Sequence, residues 1–247
     1  MMAISISSVS KAYRSHKDPV LALDRVSLDV ARGEFVCLVG ASGCGKSTLL
    51  NLLAGLDKPN AGTVKVDGKA GLMFQDPALL PWLSASDNIA MPLRLAGVGK
   101  EERTRRAHEM LDLVQLSGQA DRRPHELSGG MRQRVSLARS LAQGTEILLM
   151  DEPFAAVDAM TRDVLHHELE RIFEQSGVTI LFVTHNVGEA VRLADRIVLL
   201  TSRPGRVAEE FKVDIPRPRR IDSPEVAALA STVTDRLREE VRRHAGA

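Results

Sequence analysis

The stretch Gly40-Ala-Ser-Gly-Cys-Gly-Lys46-Ser47 decides the fold class, because it matches the phosphate-loop pattern G-x-x-x-x-G-K-[ST]. The apolar segment Glu34–Val39 before it is predicted to be a strand, and Lys46–Ala54 a helix. Glycines let such a loop turn tightly, so that its backbone N–H groups point at phosphate oxygens, and the helix adds the positive end of its dipole. We expect Lys46 to reach the β- and γ-phosphates of a nucleotide and Ser47 to place its hydroxyl on Mg²⁺.

A second chemical signal lies where a later apolar run ends in two acids, Ile147-Leu-Leu-Met-Asp151-Glu152. Ligands of open α/β sheets bind at the carboxyl ends of the strands, so both carboxylates are predicted to face the phosphates. Asp151 is suited to hold the Mg²⁺ shell, and Glu152 is suited to polarise the attacking water as a general base. A solvated pair of loop acids is the plainer interpretation, but it fits poorly with the apolar residues directly before the pair.

The rest of the chain alternates between strand and helix patterns. Short strands are predicted over residues 1–70 and again from 146 to 211, whereas helical spacing dominates from about 86 to 142. The predicted fold class is α/β: a P-loop NTPase core with a RecA-like parallel sheet, an N-terminal antiparallel β-subdomain and an inserted α-helical subdomain. We expect one domain over 1–247. Its predicted parts are the core with the β-subdomain (1–85 and 143–215), the helical subdomain (86–142), and a linker with a final helix (216–247).

Charge and composition exclude several classes of protein. The formal net charge of +1 lacks the basic excess that nucleic-acid-binding proteins usually carry, so no nucleic-acid partner is expected. The first residues lack a signal-peptide pattern, and no apolar run is long enough to span a bilayer. We therefore expect a soluble chain that reaches a membrane only through a partner. Cys37 and Cys44 are predicted to be reduced, partly buried thiols.

One segment of the helical stretch resembles a known family. Leu127-Ser128-Gly129-Gly130-Met131 is similar to the signature motif of ATP-binding-cassette (ABC) ATPases, and it precedes the Asp151-Glu152 strand as in that family. The family commonly has Gln where this chain has Met131, but the serine and both glycines are kept. Ser128 as a helix cap would make a second anion-binding helix N-terminus. Taken alone, the segment is equally compatible with an ordinary Ser-capped helix.

The resemblance implies roles for four further residues. Tyr13 resembles the aromatic residue that stacks on adenine, although a surface ring is the alternative. Gln75, in Phe74-Gln75-Asp76-Pro77, resembles the Q-loop glutamine that senses Mg²⁺ and the attacking water. Asp158 ends a segment like the D-loop, in which Ala155 replaces the usual serine. His185, at the end of a predicted strand, resembles the switch histidine that contacts the γ-phosphate.

The implied site contains ATP and Mg²⁺ and is completed by a second chain. Its catalytic residues are Glu152, His185 and Gln75, and its metal ligands are Ser47, Gln75 and Asp151. The residues implied to bind ATP are Tyr13, Gly40, Ala41, Ser42, Gly43, Cys44, Gly45, Lys46, Ser47 and Thr48. In the family two ATPase subunits pair head to tail, so that Ser128, Gly129 and Gly130 of one chain cover the ATP of the other. A homodimer that closes on ATP and opens after hydrolysis is therefore expected.

A finer resemblance concerns transport. The stretch Gln75–Ile89 resembles the region of importer ATPases that receives a coupling helix of the membrane permease, with Leu79, Leu80, Pro81 and Trp82 as contact residues. A segment that packs the helical subdomain is an equally good interpretation. Together with Thr201–Arg206, this stretch looks most like the ATPases of nitrate, aliphatic sulfonate and taurine importers.

The implied assembly is a bacterial importer of a small anionic solute. It would contain integral membrane permease subunits and a periplasmic or lipid-anchored solute-binding protein. The ATPase subunit would lie peripherally at the cytoplasmic face of the inner membrane.

Other functions are compatible with part of this pattern. An ABC ATPase of lipid or lipoprotein transport is one, and a non-transport ABC ATPase that acts on DNA or ribosomes is another. DNA-repair members carry a long coiled-coil insertion, for which the distance from Lys46 to Asp151 is too short, and translation-associated members carry two cassettes in one chain. A soluble P-loop kinase should lack the Leu127–Met131 motif.

Overall fold

The computed structural model describes residues 1–14 and 19–245, with side chains up to Arg243. The strands are β1 (Met2–Tyr13), β2 (Val20–Ala31), β3 (Phe35–Val39), β4 (Ala61–Val66), β5 (Ala70–Met73), β6 (Ile147–Asp151), β7 (Thr179–Thr184), β8 (Arg196–Leu200) and β9 (Val207–Lys212). The α-helices are α1 (Lys46–Leu53), α2 (Ala85–Leu95), α3 (Lys100–Leu113), α4 (Gly129–Leu141), α5 (Ala159–Ser176), α6 (Val187–Leu193) and α7 (Pro224–Ala245). Within these ranges, no helix combines the length and the apolar character that crossing a membrane requires.

The chain forms two compact units. Residues 1–68 and 179–247 make up the first unit, and residues 69–178 make up the second. The predicted subdomain borders at 86 and 142 both fall inside the second unit. The predicted division of the chain therefore stays a prediction.

The first unit contains an antiparallel sheet and a mainly parallel set of strands. In the antiparallel sheet β1 lies between β2 and β4. β3 pairs in parallel with β7 on one side and β8 on the other, and β9 adds to β8 in the antiparallel direction. Every residue of β3 and β7 is buried, as expected for strands covered on both faces. The predicted α/β class with an N-terminal antiparallel sheet is confirmed.

The pairing of β3 with β7 sets the position of the phosphate loop. Val39 is the register partner of Thr184, so Gly40 and His185 follow at the same edge on neighbouring strands. Helix α1 begins at Lys46, directly after the loop, and Leu49 is completely buried on its inner side. The loop is thus held between a buried strand and a buried helix face.

Two arginines of the linker bind the end of α6. Arg219, which is only 4% exposed, and Arg217 donate hydrogen bonds to carbonyl oxygens of the last turn. Those acceptors are Val191, Arg192, Leu193 and Ala194. The last carbonyls of a helix lack partners within the helix, so the guanidinium groups cap α6. The predicted linker is therefore a structural part of the first unit.

The final helix packs on the helix that these arginines cap. α7 contacts α6 and buries Val226 and Val233 completely. The helix begins at Pro224, whose fixed φ suits the first helical position. The final helix is therefore packed within the first unit.

The Arg219→Leu substitution should lower the free energy of unfolding by about 3 kcal/mol, because several buried carbonyls lose a charged donor. Chemical denaturation of the purified chain would measure the change. Arg220→Leu is the matched control, since Arg220 lies in the same linker but its side chain is 80% exposed and pairs with Asp222. The control should be close to wild type, and equal losses in the two variants would contradict the capping role of Arg219.

The second unit contains a parallel strand pair and a group of helices. β5 and β6 pair with Met73 opposite Met150, so Gln75 and Asp151 follow at the same edge of the pair. Ile147–Met150 is fully buried, which explains the apolar run before the two acids. α4 contacts α2, α3 and α5 as well as β5. The helix that carries the signature-like motif is therefore central to this unit.

Candidate active site

The phosphate loop closes around Lys46. Its Nζ donates hydrogen bonds to the carbonyl oxygens of Gly40 at 2.8 Å and Ala41 at 3.1 Å, and it lies 3.8 Å from Cys44 Sγ. The lysine is buried, whereas Ser42 and Ser47 are exposed. The loop thus holds its lysine from inside and presents its serines to solvent.

Close contacts explain two of the glycines in the loop. Gly45 has φ of 97°, a conformation that side chains rarely adopt, and a Cβ there would lie 2.8 Å from the carbonyl oxygen of Ala22. A Cβ on Gly40 would lie 2.7 Å from Cys44 Sγ. Cys44 has a free thiol that is buried rather than partly buried as predicted, and burial raises its pKa although the Lys46 ammonium opposes the shift.

Tyr13 presents a partly exposed ring at the end of β1. Lys11 Nζ lies 5.0 Å from the ring centroid, and the Tyr13 hydroxyl donates to Asp57 Oδ2 at 3.1 Å. Lys11 also bonds Asp57 Oδ1 at 2.6 Å, which is the main reason that the pKa of Asp57 is lowered. The ring is therefore held from its polar end while 39% of the residue is exposed. Adenine stacking by this ring stays a prediction.

In the second unit, Asp151 ends β6 and Glu152 follows it directly, and both side chains are half-buried. Glu152 has φ of 44°, which places a non-glycine residue in the left-handed region. Such strain costs about 1–3 kcal/mol and is concentrated at functional sites. Gln75 is exposed beyond the neighbouring strand β5. The parallel register thus brings these three oxygen-bearing side chains to one edge.

The signature-like segment and the D-loop-like segment meet at two helix starts. Ser128 Oγ accepts from the Met131 N–H at 3.2 Å and caps α4, as the sequence predicts. Asp158 Oδ1 accepts from the Thr161 N–H at 3.0 Å and caps α5, and this N–H lowers the pKa of Asp158. A Cβ on Gly130 would lie 2.2 Å from Thr161 Cγ2. Only glycine leaves room for the two helix starts to meet here.

Sequence analysis missed two residues that hold the backbone around Gln75. The Nε2 of Gln133 donates to the carbonyl oxygen of Gln75 at 3.0 Å, and Gln133 is buried. Arg139 donates to the carbonyls of Pro77 at 2.7 Å and Ala78 at 2.8 Å. Both donors belong to α4, so the helix that begins at Ser128 also positions the Q-loop-like segment. Both contacts join segments that are far apart in the sequence, so no local pattern singles out these two residues.

The stretch Gln75–Ile89 combines an internal anchor with an exposed apolar tip. Asn88 is completely buried and exchanges hydrogen bonds with the backbone of Leu80, through its Oδ1 at 2.8 Å and its Nδ2 at 3.1 Å. Its Nδ2 also donates to the carbonyl of Ser84 at 2.9 Å. Trp82, in contrast, is 67% exposed. A hydrogen-bonded loop that presents an exposed tryptophan is typical of an interaction site.

The predicted site residues are divided between the two units. The first unit holds the phosphate loop, Tyr13 and His185, and His185 is exposed at the end of β7. The second unit holds the remaining predicted residues, which are Gln75, Asp151, Glu152, Ser128, Gly129, Gly130 and Asp158. The roles of these residues toward ATP and Mg²⁺ stay predictions.

Gly130→Ala should destabilise the second unit by about 1–3 kcal/mol, because its Cβ would overlap the Thr161 methyl group. Gly129→Ala is the matched control, since the nearest atom to a Cβ there is Arg132 Nη2 at 3.9 Å. Thermal unfolding of both variants would compare the two positions. Adding Thr161→Ser, which removes the methyl group and keeps the hydroxyl, should restore part of the loss. Equal behaviour of both alanine variants would contradict the close contact.

Comparisons with known proteins agree with this arrangement. Residues 23–155 match the family model described as ABC transporter. The chain is 45% identical over 225 residues to the taurine import ATP-binding protein TauB of Burkholderia thailandensis, which covers 88% of this chain and 86% of the relative. It is 43% identical over 223 residues to the nitrate import ATP-binding protein NrtD of Synechocystis sp., with 87% and 84% covered.

A solved structure is also similar to most of this chain. It is the dimeric post-hydrolysis state of the ATP-binding cassette MJ0796 bound to ADP and Pi, with a TM-score of 0.77 and 35% identity. The match covers 86% of this chain and 100% of that chain.

Proposed function

This chain belongs to the ABC transporter family, and we propose that it binds and hydrolyses ATP to drive an importer of small anions. The observation that carries the proposal is 45% identity with a taurine import ATP-binding protein across 88% of the chain. The similarity to a nitrate import protein supports the same class of solute. Membership of this family disfavours a soluble P-loop kinase. The names of the two relatives favour import over lipid or lipoprotein transport and over a role outside transport.

Oxygen donors of the predicted site suit a magnesium ion. Mg²⁺ prefers carboxylate, carbonyl and hydroxyl oxygens and usually keeps substrate phosphates among its ligands. Ser47, Gln75 and Asp151 supply one such group each. We propose that these residues hold Mg²⁺, which supplies positive charge against the nucleotide phosphates.

The proposed hydrolysis assigns one task to each remaining side chain. Lys46 and the loop N–H groups bind the phosphates, and His185 contacts the γ-phosphate. Glu152 accepts the proton of the attacking water as general base, and Gln75 orients that water. The strained backbone at Glu152 supports this assignment, because strain is retained where geometry matters for chemistry.

A second copy of the chain is proposed to complete the site. The capped start of α4 presents Ser128 and Gly129 to solvent, so another chain's nucleotide can reach them. The dimer of the ATP-binding cassette MJ0796 with ADP and Pi supports a pair as the working unit. We propose a head-to-tail homodimer that closes on ATP and opens after hydrolysis.

Glu152→Gln should bind ATP with near wild-type affinity, lose nearly all turnover and accumulate as an ATP-bound dimer, because the base is removed while the phosphate loop is intact. Steady-state phosphate release and size-exclusion chromatography with light scattering would measure both effects. Lys46→Ala is the contrasting variant and should lose nucleotide binding itself. Unchanged hydrolysis in Glu152→Gln would show that Glu152 is not the base.

Permease subunits are the proposed membrane partners. The Asn88-anchored stretch Gln75–Ile89 and its exposed Trp82 offer an apolar contact for a coupling helix. Through such a contact the chain would lie at the cytoplasmic face of the membrane, and a solute-binding protein would deliver the anion from the other side.

Affinity purification from native membranes should recover integral membrane subunits together with the chain, because a coupled ATPase needs a stable contact with its permease. Mass spectrometry would identify the partners. Trp82→Ala should reduce their recovery, and Leu56→Ala, which alters a residue that is also 64% exposed but lies outside the stretch, should not. Recovery of only soluble partners would contradict the transport assignment.

A further inference from the structure

The connection between β8 and β9 lies directly against the phosphate loop. This connection, Thr201–Arg206, is called here the buttress loop. Gly205 N donates to the carbonyl oxygen of Ala22 at 2.9 Å, and Asp24 N donates to the carbonyl oxygen of Gly205 at 2.9 Å. A Cβ on Gly205 would lie 2.1 Å from the carbonyl oxygen of Cys44. The two loops are therefore in backbone contact.

Internal hydrogen bonds give the buttress loop a defined shape. Thr201 Oγ1 donates to the carbonyl oxygen of Pro204 at 2.7 Å and accepts from the Arg206 N–H at 2.9 Å. Arg206 Nε also bonds Asp24 Oδ2 at 2.8 Å. The buttress loop is thus closed by its own hydrogen bonds and anchored to β2 through Gly205 and Arg206, which constrains the position of its tip residue.

That tip residue is an arginine at the rim of the phosphate loop. Arg203 Nη2 lies 3.1 Å from the point that a Cβ of Gly43 would occupy. Arg203 is exposed, and no carboxylate pairs with it in residues 1–14 and 19–243. Arg206 differs, since Asp24 neutralises it. The phosphate loop therefore has two cationic side chains next to it, the buried Lys46 and the exposed Arg203.

We propose that Arg203 is a further contact of the nucleotide polyphosphate, acting from the outer side of the phosphate loop. Granted the ATP binding proposed above, the guanidinium fork matches two phosphate oxygens at once, and charge-assisted bonds of this kind are the strong ones. Gly43 leaves the space that the guanidinium needs to reach past the loop. Arg203 binds substrate in this proposal and takes no proton, so it contributes affinity while Glu152 and His185 perform the chemistry.

The test is nucleotide affinity of the full chain carrying Arg203→Gln. Equilibrium titration with fluorescent ATP and ADP analogues should show affinity reduced roughly 5- to 20-fold for both, with weaker dependence on salt because one phosphate contact is lost. Arg203→Lys should lose less, since the charge is kept without the fork. Arg25→Gln is the control, because Arg25 is a nearby arginine with a side chain 73% exposed.

Protein stability and nucleotide affinity together decide the result. The unfolding temperature of Arg203→Gln should equal that of wild type, which separates a ligand contact from a loop that no longer folds. Wild-type affinity in Arg203→Gln would overturn the proposal, and so would equal losses in Arg25→Gln, which would reflect only general surface charge. Failure of the wild-type chain to bind ATP would instead overturn the proposed function.

Discussion

The parallel pairing of β3 with β7 is the constraint on which the first unit depends. Five buried residues of β3 lie between β7 and β8, and the register partner of the last one is Thr184. This pairing fixes where the chain leaves the sheet, so Gly40 and His185 emerge side by side. The loop can then adopt its tight turns because a buried strand holds one end and the buried face of α1 holds the other.

In the second unit, too, a parallel strand pair brings functional side chains to one edge, but these side chains are an amide and two carboxylates. β5 and β6 form this pair, and they end together. The start of α4 adds a capped helix N-terminus, and residues further along α4 hold the backbone of Gln75 and its neighbours. A displacement of α4 would therefore act on both the signature-like motif and the Q-loop-like segment, so α4 would link the proposed nucleotide contact to the loop that carries the exposed Trp82.

Local signals predicted much of this structure. Sequence patterns predicted three features that depend on residues close together in the chain. They are the loop from Gly40 to Ser47, the apolar strand before Asp151 and the helix cap at Ser128. Helix α6 was not predicted, and its two turns depend on Arg217 and Arg219, which lie far along the chain. The contacts of Gln133, Gly130 and Arg203 also join distant segments, so no periodicity or motif reports them.

Whether ATP hydrolysis moves an anion is the most direct test of the account. Proteoliposomes containing the chain, its permease subunits and the solute-binding protein should accumulate radiolabelled taurine, nitrate or an aliphatic sulfonate only when ATP is present on the side of the ATPase. The same vesicles with Glu152→Gln should accumulate none. Uptake that is independent of ATP, or equal in the two preparations, would contradict the claim that this chain powers import.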